Sequence, residues 1–458
     1  MYTRRWFLQA AAAAPVFAQS RSRAPRRLPN FLVILTDDLG FGDVGFTGSR
    51  IKTPNLDKLA AAGAQFSQFY AGNPVCSPSR AAFLTGRYPT RMGIPGVLYA
   101  HDTYGLPDTE TTIAQMLKPA GYTSACIGKW HLGSLPQFLP TNRGFDMFYG
   151  VPYSNDMVPL PLMYNQDVVE SSTNNDLLTQ KYTAAAVKYI QANKDRPFFL
   201  YLAHNVPHPP LGASAAFKGK SELGLYADVV EEMDWSVGQV MQALQDAGIA
   251  DDTLSVFTSD NGPWFQGSTG RLRGRKSETY EGGVREPFVA YMPNTIPAGT
   301  APSGFGSLMD MLPTFAGLAD VPLPALPLDG IDIWPMMTGK QSAIERQALL
   351  YFDSWNLQCA RLGPWKLHVA RYNSLPWAEQ PPEGRINLPL VNPELYNIES
   401  DPEESYECSA AHPDVVKDIQ NHIQTALFSF PARVQTEWAL TRARQTQPVA
   451  PGAMPIPK

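Results

Sequence analysis

The chain has 458 residues, which is too long for one small core and fits a large α/β unit with an added subdomain. Hydrophobic residues make up 44% and charged residues 17% of the sequence, which indicates a globular protein and excludes a disordered one. The formal net charge is −5 and no basic stripe stands out, so nucleic acid is not an expected partner. The cysteines are too few for a disulfide framework and are Cys76, Cys126, Cys359 and Cys408.

Residues 1–18 predict an export signal that is not part of the fold. Arg4 and Arg5 stand directly before Trp6-Phe7-Leu8, an Ala-rich run follows, and Val16-Phe17-Ala18 supplies small residues for cleavage. The pattern favours a twin-arginine signal, with a Sec signal that carries two arginines as the alternative. It predicts the twin-arginine export machinery as a partner and a periplasmic or extracellular location. A linker over 19–29 follows, and no later apolar run is long enough to span a bilayer.

Three continuous apolar runs predict buried strands of a mostly parallel sheet, and each ends in polar residues. The runs cover residues 31–35, 198–202 and 254–258. The polar residues that follow them are Asp37 and Asp38, then His204 and His208, then Asp260 and Asn261. Because ligands bind at the carboxyl ends of strands in open α/β sheets, we expect these side chains to share one site.

Apolar residues at helical spacing lie between the strands and predict helices over 55–70, 112–118, 177–192 and 226–247. Glu231, Glu232 and Asp234 are expected on the solvated face of the last helix. Strands that alternate with helices predict a doubly wound sheet flanked by helices, and we assign residues 30–339 to this catalytic domain.

The pattern changes after Gly339 to short strand-like segments over 348–352, 358–361, 365–370 and 394–397. A helical segment over 413–428 follows them. These features predict a C-terminal subdomain over 340–440 with a small antiparallel sheet. Residues 441–458 are polar and Pro-rich and are expected to lack fixed structure.

The oxygen-bearing side chains after the first and third strands form a candidate metal site. Asp37, Asp38, Asp260 and Asn261 supply hard oxygen ligands, which suit Ca²⁺ or Mg²⁺ and not zinc. Taken singly, each pair would more often cap a helix or begin a turn. Two such pairs at the ends of buried strands favour metal binding.

The run Cys76-Ser77-Pro78-Ser79-Arg80 lies where a helix should begin. Ser77 can cap that helix, and Pro78 fits its first turn. Arg80 would lie one turn into the helix, so the helix N-terminus and the guanidinium together predict an anion site. A lone cysteine in this position would be interpreted as a buried thiol beside an ordinary capped helix.

The longer stretch Cys76–Arg87 closely resembles the signature of the sulfatase family, in which the cysteine of Cys-x-Pro-x-Arg is oxidised to formylglycine, an aldehyde. Other segments are similar to the family's motifs and are Asp37–Gly40, Gly128–Gly133, Pro207–Pro210, Ser259–Gly262, and Lys276 with Tyr280–Pro287. The resemblance extends from Asn30 to Tyr396. It implies an alkaline-phosphatase-like α/β fold, and the loop Val151–Asp156 is most similar to that of arylsulfatase A-type enzymes.

The resemblance implies a sulfuric ester hydrolase that acts on sulfate monoesters, either aryl sulfates or sulfated carbohydrates. The implied cofactor is Ca²⁺, with Mg²⁺ as the alternative, and the implied maturation partner is a formylglycine-generating enzyme. The implied ligands of the cation are Asp37, Asp38, Asp260, Asn261 and the residue formed from Cys76. In the implied mechanism a hydroxyl of the hydrated aldehyde attacks sulfur, and the second hydroxyl then expels sulfate.

The family likeness also implies roles for the remaining polar residues. Arg80 would stabilise the diol, and His131 would orient or deprotonate it. Lys129 and Lys276 would neutralise the sulfate oxygens. His208 would protonate the leaving group, with His204 as its rival. Ser154 would contact the substrate.

Two rival functions remain open at the sequence level. One is a phosphonate or phosphate diester hydrolase of the same superfamily, and the other is a sulfated-glycan binding protein that has lost catalysis. The leaving-group end of the pocket is expected to come from residues 151–175, residues 262–275 and the C-terminal subdomain.

Overall fold

The structure is a computed structural model that describes residues 27–445 except 383. The predicted export signal over 1–18 and residues 19–26 of the predicted linker therefore lie outside the described residues, as do residues 446–458. Within the described part of the chain, the strands form one ten-stranded sheet and one four-stranded sheet. No helix of that part is long and apolar enough to cross a bilayer.

The large sheet has a parallel centre with antiparallel pairs on either side of it. Its strands in chain order are β1 Asn30–Thr36, β2 Ala64–Tyr70, β3 Thr123–Lys129, β4 Met147–Val151, β5 Leu162–Tyr164, β6 Asp167–Glu170, β7 Phe198–Ala203, β8 Thr253–Ser259, β9 Arg285–Tyr291 and β10 Gly306–Ser307. Their spatial order is β10-β2-β9-β8-β1-β7-β3-β4-β5-β6, and the edge strand β10 pairs parallel to β2. Strands β8, β1, β7, β3 and β4 run parallel to their neighbours within this group. The predicted mostly parallel α/β sheet is therefore confirmed.

Helices cover both faces of this sheet because its central strands are apolar on both sides. Phe31, Val33 and Leu35 of β1 pack into one core, whereas Leu32 and Ile34 pack into the other. The helices are α1 Pro54–Ala62, α2 Cys76–Thr85, α3 Ile113–Leu117, α4 Leu178–Asn193, α5 Leu225–Asp246, α6 Glu281–Val284, α7 Met311–Ala319, α8 Trp334–Met337, α9 Pro413–Leu427 and α10 Ala432–Gln445.

The predicted helix over 55–70 is wrong in its second half. Helix α1 ends at Ala62, and residues 64–70 form β2 instead. Strand β2 lies between β9 and β10, and Phe66 and Phe69 are buried there against Phe288. Pairing with strands distant in sequence overrides the local helical spacing, which is a common outcome for apolar segments of this length.

The expectation that Glu232 and Asp234 face solvent is also wrong, since both are buried on α5. Asp234 accepts hydrogen bonds from the backbone N–H groups of Asn55 and Leu56, and so satisfies the free amides at the start of α1. Glu232 accepts from the side chain of Gln180 and the backbone of Ser214. Both carboxylates therefore form hydrogen bonds to neighbouring segments and do not face solvent.

The C-terminal subdomain is an antiparallel sheet of β11 Leu349–Asp353, β12 Asn356–Leu362, β13 Trp365–Tyr372 and β14 Asn387–Asn397. Helices α9 and α10 supply Ile419, Ile423 and Trp438 to the core beneath this sheet. The predicted small antiparallel sheet is confirmed. The first residues of the predicted tail, 441–445, continue α10 and are therefore helical.

Candidate active site

The two predicted metal-binding pairs meet at the carboxyl ends of neighbouring strands. Strands β1 and β8 are parallel neighbours in register from Asn30 with Thr253 to Thr36 with Ser259, so the residues after them lie side by side. The backbone N–H of Asp38 donates to Oδ1 of Asp260 at 3.3 Å, and Nδ2 of Asn261 donates to Oδ1 of Asp38 at 2.7 Å. The three carboxylates and the amide are all buried.

Three cationic side chains reach these carboxylates from three different elements. Nη2 of Arg80, on α2, lies 2.8 Å from Oδ2 of Asp260. Lys129 ends β3 and pairs with Asp37, and Nζ of Lys276 lies 2.7 Å from Oδ2 of Asp38. Charged groups are buried in proteins when they are paired, and here each cation is paired with a carboxylate.

The cysteine of the motif lies at the first position of α2, beside the carboxylates. Sγ of Cys76 is 3.2 Å from Oδ1 of Asp37. The helix is capped by the backbone of Val75, so the expectation that Ser77 caps it is wrong. Instead, Oγ of Ser77 accepts a hydrogen bond from the backbone N–H of Leu98 and so holds the segment around Leu98 against α2.

Burial and the charge of Asp37 raise the pKa of the Cys76 thiol well above its usual value. The unmodified side chain is therefore a neutral thiol, which is a poor nucleophile and a poor metal ligand. Burial alone would also raise the pKa of Asp37, but Lys129, His208 and Arg80 together hold it well below its usual range. Burial and the neighbouring Asp37 raise the pKa of Asp260.

Two histidines, His131 and His208, lie near Cys76 and the carboxylates, and each has one ring nitrogen bonded to a backbone carbonyl. Nε2 of His131 lies 2.8 Å from the carbonyl oxygen of Leu98, which requires that Nε2 carry the proton. Nδ1 of His131 is buried and has no hydrogen-bond partner among the described residues. Nδ1 of His208 donates to the carbonyl of Pro209, and its Nε2 lies 3.7 Å from Oδ2 of Asp38.

His204, the rival of His208, points elsewhere. Its Nε2 lies 3.3 Å from Oγ of Ser236 on α5, and the ring packs near Tyr182. It does not line the cavity that His208 lines. Burial lowers the pKa of His204 to about 4, so the ring is a neutral core group.

A cavity of about 430 Å³ opens above Cys76. Of the predicted residues, it is lined by Cys76, His131, Ser154, His208 and Lys276. Lys129 does not line it, but its Nζ donates at 3.0 Å to Oγ of Ser154, which does. Segments from all three predicted wall regions line it as well, represented by Asp156, Trp264 and Trp377.

Two features of the site were not predicted from the sequence: a fourth cavity wall over residues 95–99 and a buried, unpaired oxygen atom beside the candidate metal ligands. This wall consists of Pro95, Gly96, Val97 and Tyr99. No pattern in the sequence marks these residues, and only the folded chain brings them close to α2. Oδ1 of Asn261 is buried without a hydrogen-bond partner among the described residues. An amide oxygen left bare beside three carboxylates fits a hard cation, because a buried acceptor without a partner is costly.

A second grouping of potential ligand atoms consists of Asp37, Asp38, Cys76 and His208, with ligand atoms within 4.8 Å of one another. It shares Asp37, Asp38 and Cys76 with the predicted set and offers His208 in place of Asp260 and Asn261. Residue 76 belongs to both sets, so the choice lies between the imidazole of His208 and the oxygens of Asp260 and Asn261. Oxygen ligands suit Ca²⁺ or Mg²⁺ better than an imidazole does. We therefore favour the predicted set.

The comparisons with known proteins agree with this geometry. The family model "Sulfatase" matches residues 29–321, and that for the C-terminal region of aryl-sulfatase matches residues 344–453. The chain belongs to the sulfatase family. Arylsulfatase A of Homo sapiens is 37% identical over 88% of this sulfatase and 89% of its own length. N-acetylgalactosamine-6-sulfatase of Canis lupus familiaris is 40% identical over 74% of the chain and 71% of its own length.

Solved structures extend the likeness to the whole described fold. The PsFucS1 sulfatase from Pseudoalteromonas sp. matches with a TM-score of 0.79 and 29% identity, covering 88% of this sulfatase and 91% of that chain. Ps i-CgsB in complex with k-i-k-neocarrahexaose matches with a TM-score of 0.75 and 30% identity, covering 91% and 98%. The predicted family and enzyme class, a sulfuric ester hydrolase, are confirmed.

Proposed function

We propose that this sulfatase hydrolyses sulfate monoesters of aryl or carbohydrate alcohols with a formylglycine made from Cys76 and a bound Ca²⁺. The observation that carries the proposal is the convergence of Asp37, Asp38, Asp260 and Asn261 beside residue 76, with Lys129 and Lys276 on the same side. The relatives are named for aryl and N-acetylgalactosamine sulfates, and one structural neighbour was solved with a neocarrahexaose.

The cation would be held by Asp37, Asp38, Asp260 and Asn261 together with the modified residue 76. When bound, the cation and the hydrated aldehyde together supply an acidic hydroxyl as nucleophile and a second hydroxyl whose deprotonation releases sulfate. The bare oxygen of Asn261 and the three converging carboxylates support this assignment.

Side chains of the protein bind the sulfate group and accept a proton from residue 76. Lys129 and Lys276 offer ammonium groups to the sulfate oxygens, and Ser154 orients Lys129 through its 3.0 Å hydrogen bond. The bare Nδ1 of His131 can accept a proton from a hydroxyl on residue 76.

His208 is assigned as the acid that protonates the leaving oxygen. Burial and the charge of Lys276 lower its pKa from the usual value of a histidine, which favours a neutral ring in the free enzyme. A sulfate ester bound beside the ring brings negative charge, which favours the imidazolium form. The bound ester therefore raises the pKa of His208, whereas burial and Lys276 lower it.

Maturation and export are part of the same proposal. Cys76 is 1% exposed and every residue of α2 is buried, so a formylglycine-generating enzyme must act before the segment folds. Arg4 and Arg5 support export by the twin-arginine route, which transports folded chains and therefore requires oxidation of Cys76 in the cytoplasm.

Mass spectrometry of the peptide that contains residue 76, combined with turnover of 4-nitrophenyl sulfate, tests the proposal. We expect a mass about 18 Da below that of the thiol form, since CH₂SH becomes CHO. Cys76→Ala should abolish turnover and cost on the order of 1 kcal/mol in stability. Cys126→Ala, which removes another buried thiol, is the matched control and should retain turnover.

An active protein with an unmodified thiol at residue 76 would contradict the mechanism. A strong preference for bis-(4-nitrophenyl) phosphate over 4-nitrophenyl sulfate would instead identify the chain as a phosphate diester hydrolase. Absence of turnover in fully converted protein would favour the glycan-binding alternative.

A further inference from the structure

Three aromatic rings that no sulfatase motif assigns to catalysis meet at the wall of the cavity. The ring centroids of Trp264 and Trp377 are 5.7 Å apart and their planes meet at 82°. Phe265 packs edge-on to both, at 5.0 Å from Trp264 and 4.8 Å from Trp377. We call Trp264, Phe265 and Trp377 the aromatic corner. Two of its members line the cavity that Cys76 also lines.

A charged pair lines the same cavity next to the aromatic corner. Nη1 of Arg385 donates to Oδ1 of Asp353 at 3.2 Å, and Nη2 donates to Oδ2. Nε of Arg385 donates to the carbonyl of Ser374 at 3.0 Å, and the guanidinium lies 3.6 Å from the ring centroid of Tyr372. These contacts with described residues use three of the five guanidinium N–H groups, so two remain for a ligand.

The charged pair also fixes the position of the aromatic corner. Asp353 ends β11, whereas Arg385 lies in the segment 373–386 that joins β13 to β14. Trp377 belongs to this segment and meets Trp264, which comes from the catalytic domain. The bidentate ion pair therefore ties the segment that contains Trp377 to the C-terminal sheet, and the cavity wall spans both domains.

We infer that the aromatic corner and the Asp353–Arg385 pair form a subsite for a pyranose ring, so that the leaving group is a saccharide. This inference rests on the proposed function. A pyranose has apolar C–H faces, which pack on aromatic rings, and a rim of hydroxyl groups, which bond to carboxylate and guanidinium. A plain aryl leaving group has no hydroxyl groups to offer the charged pair, so the charged pair does not hold it against the aromatic corner.

The test compares 4-nitrophenyl sulfate with a panel of galactose and N-acetylgalactosamine monosulfates on the formylglycine-containing enzyme. Trp377→Ala should lower kcat/KM for the best saccharide about tenfold, through KM, because an aromatic contact of about 1.4 kcal/mol is lost. The same variant should change 4-nitrophenyl sulfate turnover less than about threefold. Trp377→Phe should recover most of the saccharide activity.

Arg385→Lys is a second variant, because lysine keeps the charge but loses the bidentate geometry. It should raise the KM for the saccharide and leave turnover of the aryl sulfate largely unchanged. Trp365→Ala is the matched control, since Trp365 packs against His412 in the C-terminal subdomain and does not line the cavity. It should not alter the preference between the two substrate classes.

Equal losses on both substrates, or no loss on either, would overturn the subsite. A wild-type enzyme that hydrolyses 4-nitrophenyl sulfate but none of the saccharide sulfates would overturn the inference and leave the proposed function intact. Failure of the wild-type enzyme on every sulfate ester would instead contradict the proposed function itself.

Discussion

At the scale of single residues, the clearest marks of function are buried polar atoms that lack a protein partner. Oδ1 of Asn261 and Nδ1 of His131 are such atoms among the described residues. Each belongs to a side chain whose other polar atom is well bonded, which fixes the orientation of the bare one. Such atoms also occur away from the site, as at Nδ1 of His204, so the position of these two beside the carboxylates and the cavity is what favours a ligand-binding role.

The role of His208 as an acid predicts an effect that depends on the leaving group. His208→Ala should lower kcat about 10²–10⁴-fold on saccharide sulfates, whose alkoxide leaving groups need a proton. The loss should be much smaller on 4-nitrophenyl sulfate, because nitrophenolate leaves without one. Steady-state kinetics on both substrates measures the difference.

His204→Gln is the control for this experiment, since His204 is also buried but does not line the cavity. It should lower the melting temperature and keep the ratio of the two activities. Equal losses on both substrates in His208→Ala would argue that His208 binds sulfate and does not donate a proton.

At the scale of secondary-structure elements, a buried charge network joins the C-terminal sheet to the catalytic domain. Lys366 on β13 lies 3.0 Å from Oε1 of Glu281 and 3.3 Å from Oε1 of Glu404. Glu404 also accepts from Nε2 of His368 at 2.6 Å and from the backbone N–H of Glu281. Glu281 begins α6, which follows the loop of Lys276, so the network holds the catalytic loop against the C-terminal sheet.

The same loop is also held by close backbone packing. The N–H of Gly262 donates to the carbonyl of Gly283, and that of Lys276 donates to Pro263. A Cβ at Gly262 would lie 2.0 Å from the carbonyl oxygen of Gly282, so this approach requires glycine. Lys276 is thereby placed beside Asp38 by two independent constraints.

Glu404→Gln should destabilise the fold by about 3–5 kcal/mol, because it leaves Lys366 without its full partner. Although burial alone would raise its pKa, Lys366 and His368 lower the pKa of Glu404 to about 2. The unfolded chain therefore binds more protons than the folded one as the pH falls below the usual range of a glutamate, and stability is lost on acidification.

His368 adds to this pH dependence in the same direction. Burial lowers its pKa, so the folded ring stays neutral at a pH where the unfolded ring is charged. The free energy of unfolding in urea should therefore fall as the pH drops below about 6.5 and fall further below about 4.5. In Glu404→Gln the free energy of unfolding should fall less steeply with decreasing pH below about pH 4.5. An unchanged slope would show that Glu404 is not the group responsible.

At the scale of the whole molecule, strands β1, β3 and β8, helix α2 and the loop before α6 bring opposite charges to one buried point. Three carboxylates of the site face three cations, which are Arg80, Lys129 and Lys276. A divalent cation would compete with the lysines for the carboxylates and release them toward a sulfate group. Metal binding and anion binding are thus expected to support each other.

Removal of calcium should lower stability as well as activity. A cation at 100 times its dissociation constant stabilises the fold by about 2.7 kcal/mol, so chelation should lower the melting temperature and added Ca²⁺ should restore it. Asn261→Leu should lack most of this shift while remaining folded. If Mg²⁺ but not Ca²⁺ restored the melting temperature, the metal would be assigned as Mg²⁺. If neither ion changed the melting temperature, these residues would be excluded as a metal site.

The sequence by itself determined the family, the α/β class and the chemical types at the site. These follow from contiguous segments, because an apolar strand with polar residues at its end and the run from Cys76 to Arg80 are local patterns. It failed at residues 64–70 and at Glu232 and Asp234, where partners distant in sequence decide the outcome. Local spacing contains no information about such partners.

Only the tertiary structure decided which histidine belongs to the site and what surrounds the leaving group. His204 and His208 follow the same strand, but one ring turns to Ser236 on α5 and the other lines the cavity. Trp377 and Arg385 reach that cavity from a segment more than a hundred residues after Trp264. Side-chain direction and long-range packing determine both outcomes, because they arise only when separate elements come together.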